Sequence, residues 1–150
     1  MKENHYRHLI AMAALSFVAM YILMYAMVNT IADVYMNVNQ VYMAGLMTAP
    51  MIVIELLVMR GMYHNTKLNA LIIAASVLGG LAMFMFIRQQ TAVSDGQFLR
   101  SMIPHHSGAI LMCEGASLQD PENRELCKAI VASQRREIDQ MVAKLRELER

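Results

Sequence analysis

The 150 residues could form one ordinary domain, but 57% of them are hydrophobic and only 17% are charged, which is unusual for a water-soluble domain. Residues 95–150 hold eight of the 13 Lys and Arg and nine of the 12 Asp and Glu. This split predicts a membrane region at 1–90 and a small water-exposed region at 91–150. The net charge of +1, without a Lys/Arg block, argues against a nucleic-acid partner.

Three apolar segments in the first 90 residues predict transmembrane helices. Leu9–Val28 and Leu68–Ile87 are runs of 20 residues without a charge, and Val41–Met59 is apolar except for Glu55. We place the helices at about 9–28, 41–62 and 68–87. The first apolar run is too long for a signal peptide, so we expect an uncleaved three-helix anchor in the lipid bilayer.

The positions of Lys and Arg predict the orientation of this anchor. The N-terminal tail carries Lys2 and Arg7, and the connection between the second and third spans carries Arg60 and Lys67. The connection between the first and second spans carries no basic residue. The positive-inside rule therefore places the N-terminus in the cytoplasm and the C-terminal region outside it.

Two helices with clear start signals are predicted after the membrane region. Ser94 with Gln97 three residues later forms a capping box, and the helix is expected at about 95–116. Asp120 followed by a proline and an acid predicts a second start, for a helix at about 121–149. The second helix has apolar or uncharged residues at alternating spacings of four and three, typical of a packing seam. Its members are Cys127, Val131, Gln134, Ile138, Met141 and Leu145.

The first of these helices carries the chemically distinctive residues. At 100° per residue they form two neighbouring strips. One strip contains Asp95, Met102, His106 and Cys113, and the other contains Phe98, His105, Ala109 and Met112. Antiparallel pairing about residue 120 places Cys113 opposite Cys127 and His106 opposite Gln134. Pro104 should free the carbonyl of Arg100 and bend the helix beside the histidines.

These residues allow more than one interpretation. A single His on a seam is usually a hydrogen-bonded core residue, whereas two adjacent His flanked by Met favour a metal-ligand role for at least one of them. Cys113 and Cys127 are compatible with a disulfide, with a pair of soft-metal thiolates, or with inert buried thiols.

Residues 95–150 resemble the domain of unknown function family 305. The first helix carries the pattern Asp95-x-x-Phe98-x-x-x-Met102-x-x-His105-His106-x-x-Ala109-x-x-Met112. The second helix continues it with Ile130-x-x-x-Gln134-x-x-Glu137-Ile138-x-x-Met141. The family is bacterial, mostly secreted or membrane-tethered, and classed as ferritin-like, and some members bind copper.

The apolar runs and the helix start signals together predict an all-α protein in which three transmembrane helices precede a helical hairpin, and the resemblance covers the hairpin alone. That hairpin would be half of a ferritin-like four-helix bundle, so a second copy is expected to complete the bundle in a homodimer. The expected location is the bacterial inner membrane, with the hairpin in the periplasm. The implied metal-facing residues are Met102, His105, His106, Met112 and Met141, with Asp95 and Glu137 as acidic partners. The two cysteines are further candidates from their own chemistry.

The expected function is copper sequestration or handling through a His/Met face, with Cu(I) in preference to Cu(II) and a copper-handling protein as a possible partner. The alternative is a metal-free membrane subunit whose hairpin docks another protein. We do not expect an enzyme. A di-metal oxidase would need Glu-x-x-His pairs, which residues 95–150 lack, and no nucleophile–base or phosphate-loop motif is present.

Overall fold

The computed structural model describes residues 3–150, with side chains from His5 onward, and all regular structure in this range is helical. The five α-helices are α1 (Glu3–Leu23), α2 (Val38–Val58), α3 (Thr66–Gln89), α4 (Asp95–Gly115) and α5 (Pro121–Leu148). Two short 3₁₀ segments, Met24–Met27 and Ile31–Asp33, lie between α1 and α2. The predicted all-α class is confirmed.

Three stretches are long and apolar enough to cross a membrane: His5–Met27, Val38–Val58 and Thr66–Gln89. The prediction of three such helices is therefore confirmed, although their bounds differ from those expected. The first helix begins at Glu3, because backbone hydrogen bonding rather than apolarity decides where a helix starts. The second helix ends at Val58, not near residue 62, because residues 59–62 form a turn.

The chain divides into two compact units. The first contains the chain up to Leu23 together with Asn39–Thr91. Its small core consists of Leu9, Leu56 and Tyr63. The Tyr63 hydroxyl donates to the carboxylate of Glu55 at 3.3 Å, so the acid within the second apolar helix has a hydrogen-bond partner.

The second unit is larger than the predicted soluble region, because it combines Ala92–Arg150 with Met24–Val38. The segment Met24–Val38, which we had expected to end the first span and form a simple loop, lies against α4 through both 3₁₀ segments. In this unit α4 therefore has two neighbours, α5 and the segment Met24–Val38, which we call the strap.

The predicted start signals of α4 and α5 are confirmed, with one difference. The side chains of Ser94 and Asp120 accept the backbone N–H groups of Gln97 and Asn123, as N-caps do. In a capping box the side chain of Gln97 would also accept the backbone N–H of Ser94. Here the side-chain oxygen of Gln97 accepts the N–H of Val38 instead, at 2.9 Å. That amide has no partner within its own helix, since it lies in the first turn of α2.

Candidate functional site

The hairpin core fixes the orientation of α4. Leu99, Ile103 and Ile110 of α4 pack with Ile138 and Leu145 of α5, and Ile103 is completely buried. These positions recur at the three- and four-residue spacings that place side chains on one helix face. The other sides of α4 are therefore directed either toward the strap or toward solvent.

The strap side of α4 is polar and tightly fitted. The hydroxyl of Ser107, which is completely buried, donates to the Asp33 carboxylate at 2.6 Å and accepts the N–H of Asn29 at 2.9 Å. Gly108 follows, and a Cβ added there would lie 3.2 Å from the carbonyl oxygen of Met27. A small residue at 108 thus lets the two backbones approach closely.

Pro104 has the local effect that the sequence predicted. A proline within a helix leaves the carbonyl four residues earlier without its usual donor, and here that carbonyl belongs to Arg100. The side-chain amide of Asn37, a buried strap residue, donates to it at 3.4 Å. The strap therefore satisfies an acceptor that the proline exposes.

His106 lies on the α5 side and has acceptors at both ring nitrogens. Nδ1 is 2.9 Å from the carbonyl oxygen of Met102, and Nε2 is 2.8 Å from the carboxylate of Glu137. The partner is Glu137 and not Gln134, which the symmetrical pairing about residue 120 had placed opposite. The imidazolium form, in which both nitrogens carry hydrogen, satisfies both contacts at once.

Glu137 is held in its charged form by its neighbours. The hydroxyl of Ser133 donates to it at 2.6 Å, and this bond is the largest cause that lowers the pKa of Glu137 below its ordinary value of 4.5. The hydrogen bond and the positive charge of His106 lower the pKa further. Because the Met102 carbonyl occupies Nδ1 of His106 and the Glu137 carboxylate occupies Nε2, recruiting His106 to a metal requires that one of these contacts open.

The neighbouring strip of α4 has a different character. His105 is exposed, and it presents its edge to the His106 ring, with the ring centroids 6.2 Å apart. Phe98 and Met112, seven residues to either side of His105, are half exposed, and Met102 is partly buried. Met102 belongs to the adjoining strip but lies one turn from His105, so we group it with this side of the helix and call Phe98, Met102, His105 and Met112 the His/Met strip. It offers one imidazole and two thioethers to solvent or to a partner.

The two cysteines are joined to each other. Cys113 and Cys127 form a disulfide with their Cα atoms 5.2 Å apart, which is the first of the three interpretations that the sequence left open. The pairing of these positions across the hairpin agrees with the symmetry about residue 120. As a disulfide they carry no thiolate, so the expected role as metal ligands does not apply to this oxidised form.

Two other expected metal ligands, Met141 and Asp95, have different surroundings. Met141 packs, partly buried, against the hairpin core. Asp95 lies in the first turn of α4, where it helps to raise the pKa of Lys144 after the larger effect of Glu147. At 1.5 Å per residue, Asp95 is about 10 Å along the helix from Met102. Asp95 is therefore not brought to His105 or His106.

The donors found within residues 3–150 restrict the kinds of metal site that one chain can form. No three side chains among the His, Cys, Asp and Glu of this range lie close enough to hold one ion. Thioether sulfurs are not among these four side-chain types, and the His/Met strip offers two of them.

Sequence reasoning missed the residues that fix α4 from the strap side, namely Asn29, Asp33, Asn37, Ser107 and Gly108. Two signals were present. Asp33 is the only charged residue between the first two spans, and a charge there needs a partner or water. Ser107 and Gly108 are small residues in the middle of an otherwise bulky helix, which is typical of a close backbone approach.

Comparisons with known proteins agree with the resemblance carried by the motif. The family model described as Domain of unknown function (DUF305) matches residues 54–145. The match begins within α2, so it extends further into the membrane region than the start at residue 95 that we had expected. No solved structure matches this chain.

The chain is also similar to the Uncharacterized protein L153 of Acanthamoeba polyphaga mimivirus. The two are 35% identical over 136 residues, which cover 89% of this chain and 88% of that protein. This relative is viral, so a bacterial origin and an inner-membrane location stay predictions for this chain. The family match over more than half of the chain, together with this similarity, shows that the protein belongs to the DUF305 family.

Proposed function

We propose that this protein is a membrane-embedded binding protein for Cu(I), which the His/Met strip of α4 holds for sequestration or transfer. The observation that carries the proposal is the exposure of His105 beside two methionines on a strip that neither α5 nor the strap covers. Imidazole and thioether groups are the donors that Cu(I) accepts in preference to hard cations.

The geometry of a helix selects which of these donors can share one ion. Met102 precedes His105 by three residues, so the two side chains emerge from the same face about 4.5 Å apart along the axis. Met112 follows His105 by seven residues, about 10 Å along the axis, so it cannot reach the same ion from the same chain. Met102 and His105 are therefore the donors that one chain supplies.

A second copy of the chain supplies the missing donor and covers the strip. Phe98 and Met112 are 50% and 55% exposed, and two helices alone bury little apolar surface. If two strips face each other, Met112 of the partner subunit can approach Met102 and His105. We therefore propose a homodimer whose two hairpins form one four-helix arrangement. A mass measurement in detergent that finds only monomers would contradict this arrangement.

Competition against a chromophoric Cu(I) chelator tests the proposed function on the full-length oxidised protein. We expect His105→Ala/Met112→Leu to weaken Cu(I) binding at least tenfold. The matched control, His64→Ala/Met62→Leu, changes an exposed His and a partly exposed Met elsewhere in the chain and should leave the affinity unchanged. Equal affinity in both double variants would contradict the proposal.

The second candidate is a metal-free membrane subunit that docks another protein on the same strip. The exposed Phe98 favours it, because an aromatic side chain contributes to protein contacts and cannot bind Cu(I) as an ordinary ligand. The competition experiment separates the candidates. Absence of Cu(I) binding in the full-length protein, with a dimer or complex that Phe98→Ala weakens, would support the docking function instead.

The location and partner belong to the same proposal. We infer that the hairpin lies outside the cytoplasm. With three spans, the hairpin is on the same side as the connection between the first two spans, which carries no basic residue. The hairpin also contains a disulfide, and disulfides persist in oxidising compartments. A protein that delivers or removes copper would then act on that side. Labelling of a cysteine placed at Ser117 by an impermeant reagent on intact cells tests the location, and an unlabelled hairpin would contradict it.

A further inference from the structure

The turn of the hairpin contains a second reactive group, separate from the His/Met strip. Cys113 near the end of α4 and Cys127 near the start of α5 both line an open cavity of about 490 Å³. Both residues are only partly buried. A disulfide that faces an open cavity can be attacked by the thiolate of another molecule, whereas one enclosed in a core cannot.

The cavity beside the disulfide is lined by charged side chains of both signs. Its lining includes three cations, Arg124, Lys128 and Arg135, and one carboxylate, Glu114. Arg135 contacts Glu114 at 2.5 Å, and Lys128 contacts Glu125 at 3.1 Å. Arg124 lies one turn before Cys127 on the same helix. Nearby positive charge stabilises a cysteine thiolate, both as a leaving group and as a product.

The disulfide is not the only contact that holds the two helices side by side. The apolar core of the hairpin extends along α4 and α5 from Ile110 to Leu145, and Arg100 contacts Glu149 at 2.5 Å toward the opposite end from the turn. The Asp120 cap and Pro121 fix the start of α5 without the sulfurs. Reduction should therefore leave two cysteines next to each other on an intact hairpin.

We infer that the Cys113–Cys127 disulfide is redox-active and that its reduced form is a second Cu(I) site, where the choice of ion rests on the proposed function. A thiolate of a small or protein dithiol attacks one sulfur, and the other cysteine leaves as a thiolate. The second thiol of the reductant then attacks the mixed disulfide, releases the remaining cysteine and closes its own disulfide. Two electrons and two protons pass to this chain.

The reduced pair has the chemistry of a soft-metal site. Binding of Cu(I) displaces the two protons and leaves the ion between two thiolates, which are charged and softer donors than the thioether and imidazole of the strip. The redox state of the hairpin thus sets how much Cu(I) one chain holds. Oxidation of the pair removes this second site and leaves only the His/Met strip to bind Cu(I).

Thiol titration and Cu(I) competition on the full-length protein in detergent test this inference. One sample is left oxidised, and another is treated with dithiothreitol, which is then removed without oxygen. We expect two free thiols per chain without denaturant, unchanged helix content by far-UV circular dichroism, and one more bound Cu(I) than in the oxidised sample. The control variant Cys113→Ser/Cys127→Ser should gain no Cu(I) after the same treatment.

A second control avoids dependence on the folding of that variant: wild-type protein is reduced and then alkylated with iodoacetamide, which should abolish the extra Cu(I). Thiols that appear only in denaturant would overturn the inference. So would equal Cu(I) uptake by the reduced and the alkylated samples. The His/Met strip is tested separately in the oxidised protein, so failure of one site is distinguishable from failure of the other.

Discussion

The two units of this protein use their apolar residues in opposite ways. In the first unit, side chains such as Leu15 and Leu71 are 72% and 66% exposed, on helices that are long and apolar enough to cross a membrane. In the second unit, which we call the hairpin unit because it contains α4 and α5, Ile103 and Ser107 are completely buried by the protein itself. The hairpin unit must therefore supply its own packing and its own polar partners, and single substitutions there should have larger effects on folding.

The largest effect should come from Ile103→Ala, because the side chain is completely buried between α4 and α5. Deletion of a buried isoleucine side chain costs about 2–5 kcal/mol. Hydrogen exchange of α4 and α5 peptides in the full-length protein should show a loss of protection of that size. Leu126→Ala removes a 58% exposed side chain from α5 and should change protection by less than about 0.5 kcal/mol. Equal effects would contradict the packing described.

Ser107→Ala should release the strap from α4. The substitution removes the Ser107 hydroxyl from the partly buried Asp33 carboxylate and Asn29 N–H, and loss of these two bonds, one of them to a charged group, costs about 1–3 kcal/mol. Hydrogen exchange across residues 24–38 should rise about tenfold or more, since each 1.4 kcal/mol is a factor of ten. Ser117→Ala, at an exposed position in the turn, is the control. Unchanged exchange in the strap would show that these bonds do not hold it.

Gly108→Ala tests the close backbone approach between α4 and the strap. The new Cβ would lie 3.2 Å from the Met27 carbonyl oxygen, so the strap has to move, at a cost of about 1–3 kcal/mol. Gly115→Ala is the matched control, because nothing lies within 4 Å of its added Cβ and alanine favours a helix by up to about 1 kcal/mol. We expect the protection of the strap to fall in the Gly108 variant. In the Gly115 variant it should stay unchanged or rise. A loss in the Gly115 variant alone would contradict the contact.

The smallest effect should be a pH dependence of the His106–Glu137 contact. The folded-state pKa of Glu137 is lower than its ordinary value of 4.5, first through Ser133 and then through His106. The carboxylate therefore stabilises the fold fully above that value, and the stabilisation is lost as pH falls through the lower folded-state pKa. In Ser133→Ala, the Glu137 titration followed by NMR should move upward toward the ordinary value. An unchanged titration would show that Ser133 does not support the carboxylate.

The features that the sequence predicted well are local ones. Ser94, Asp120 and Pro121 act on the residues next to them, so their patterns predict where α4 and α5 begin. The opposition of Cys113 and Cys127 follows from the shortness of the turn between the helices. The partner of His106 was predicted one turn away from its observed position, because residues 134 and 137 are neighbours on the same face of α5 and periodicity does not distinguish them.

The strap could not be predicted by the same reasoning. Its contacts join residues more than 60 positions apart, such as Asn37 with Arg100 and Asp33 with Ser107. Periodicity within one helix says which face is apolar, but it does not name the polar segment that covers the opposite face. Pro104 did predict an unpaired carbonyl on Arg100, and only the fold revealed Asn37 as its donor.

The central claim is that Met102 and His105 of the His/Met strip bind Cu(I), and X-ray absorption at the copper edge tests it most directly. The sample is the full-length oxidised protein loaded with one Cu(I) per chain, compared with His105→Ala. We predict sulfur and nitrogen scatterers around copper in the wild type and loss of the nitrogen contribution in the variant. Identical spectra, or copper surrounded only by buffer ligands, would contradict the claim.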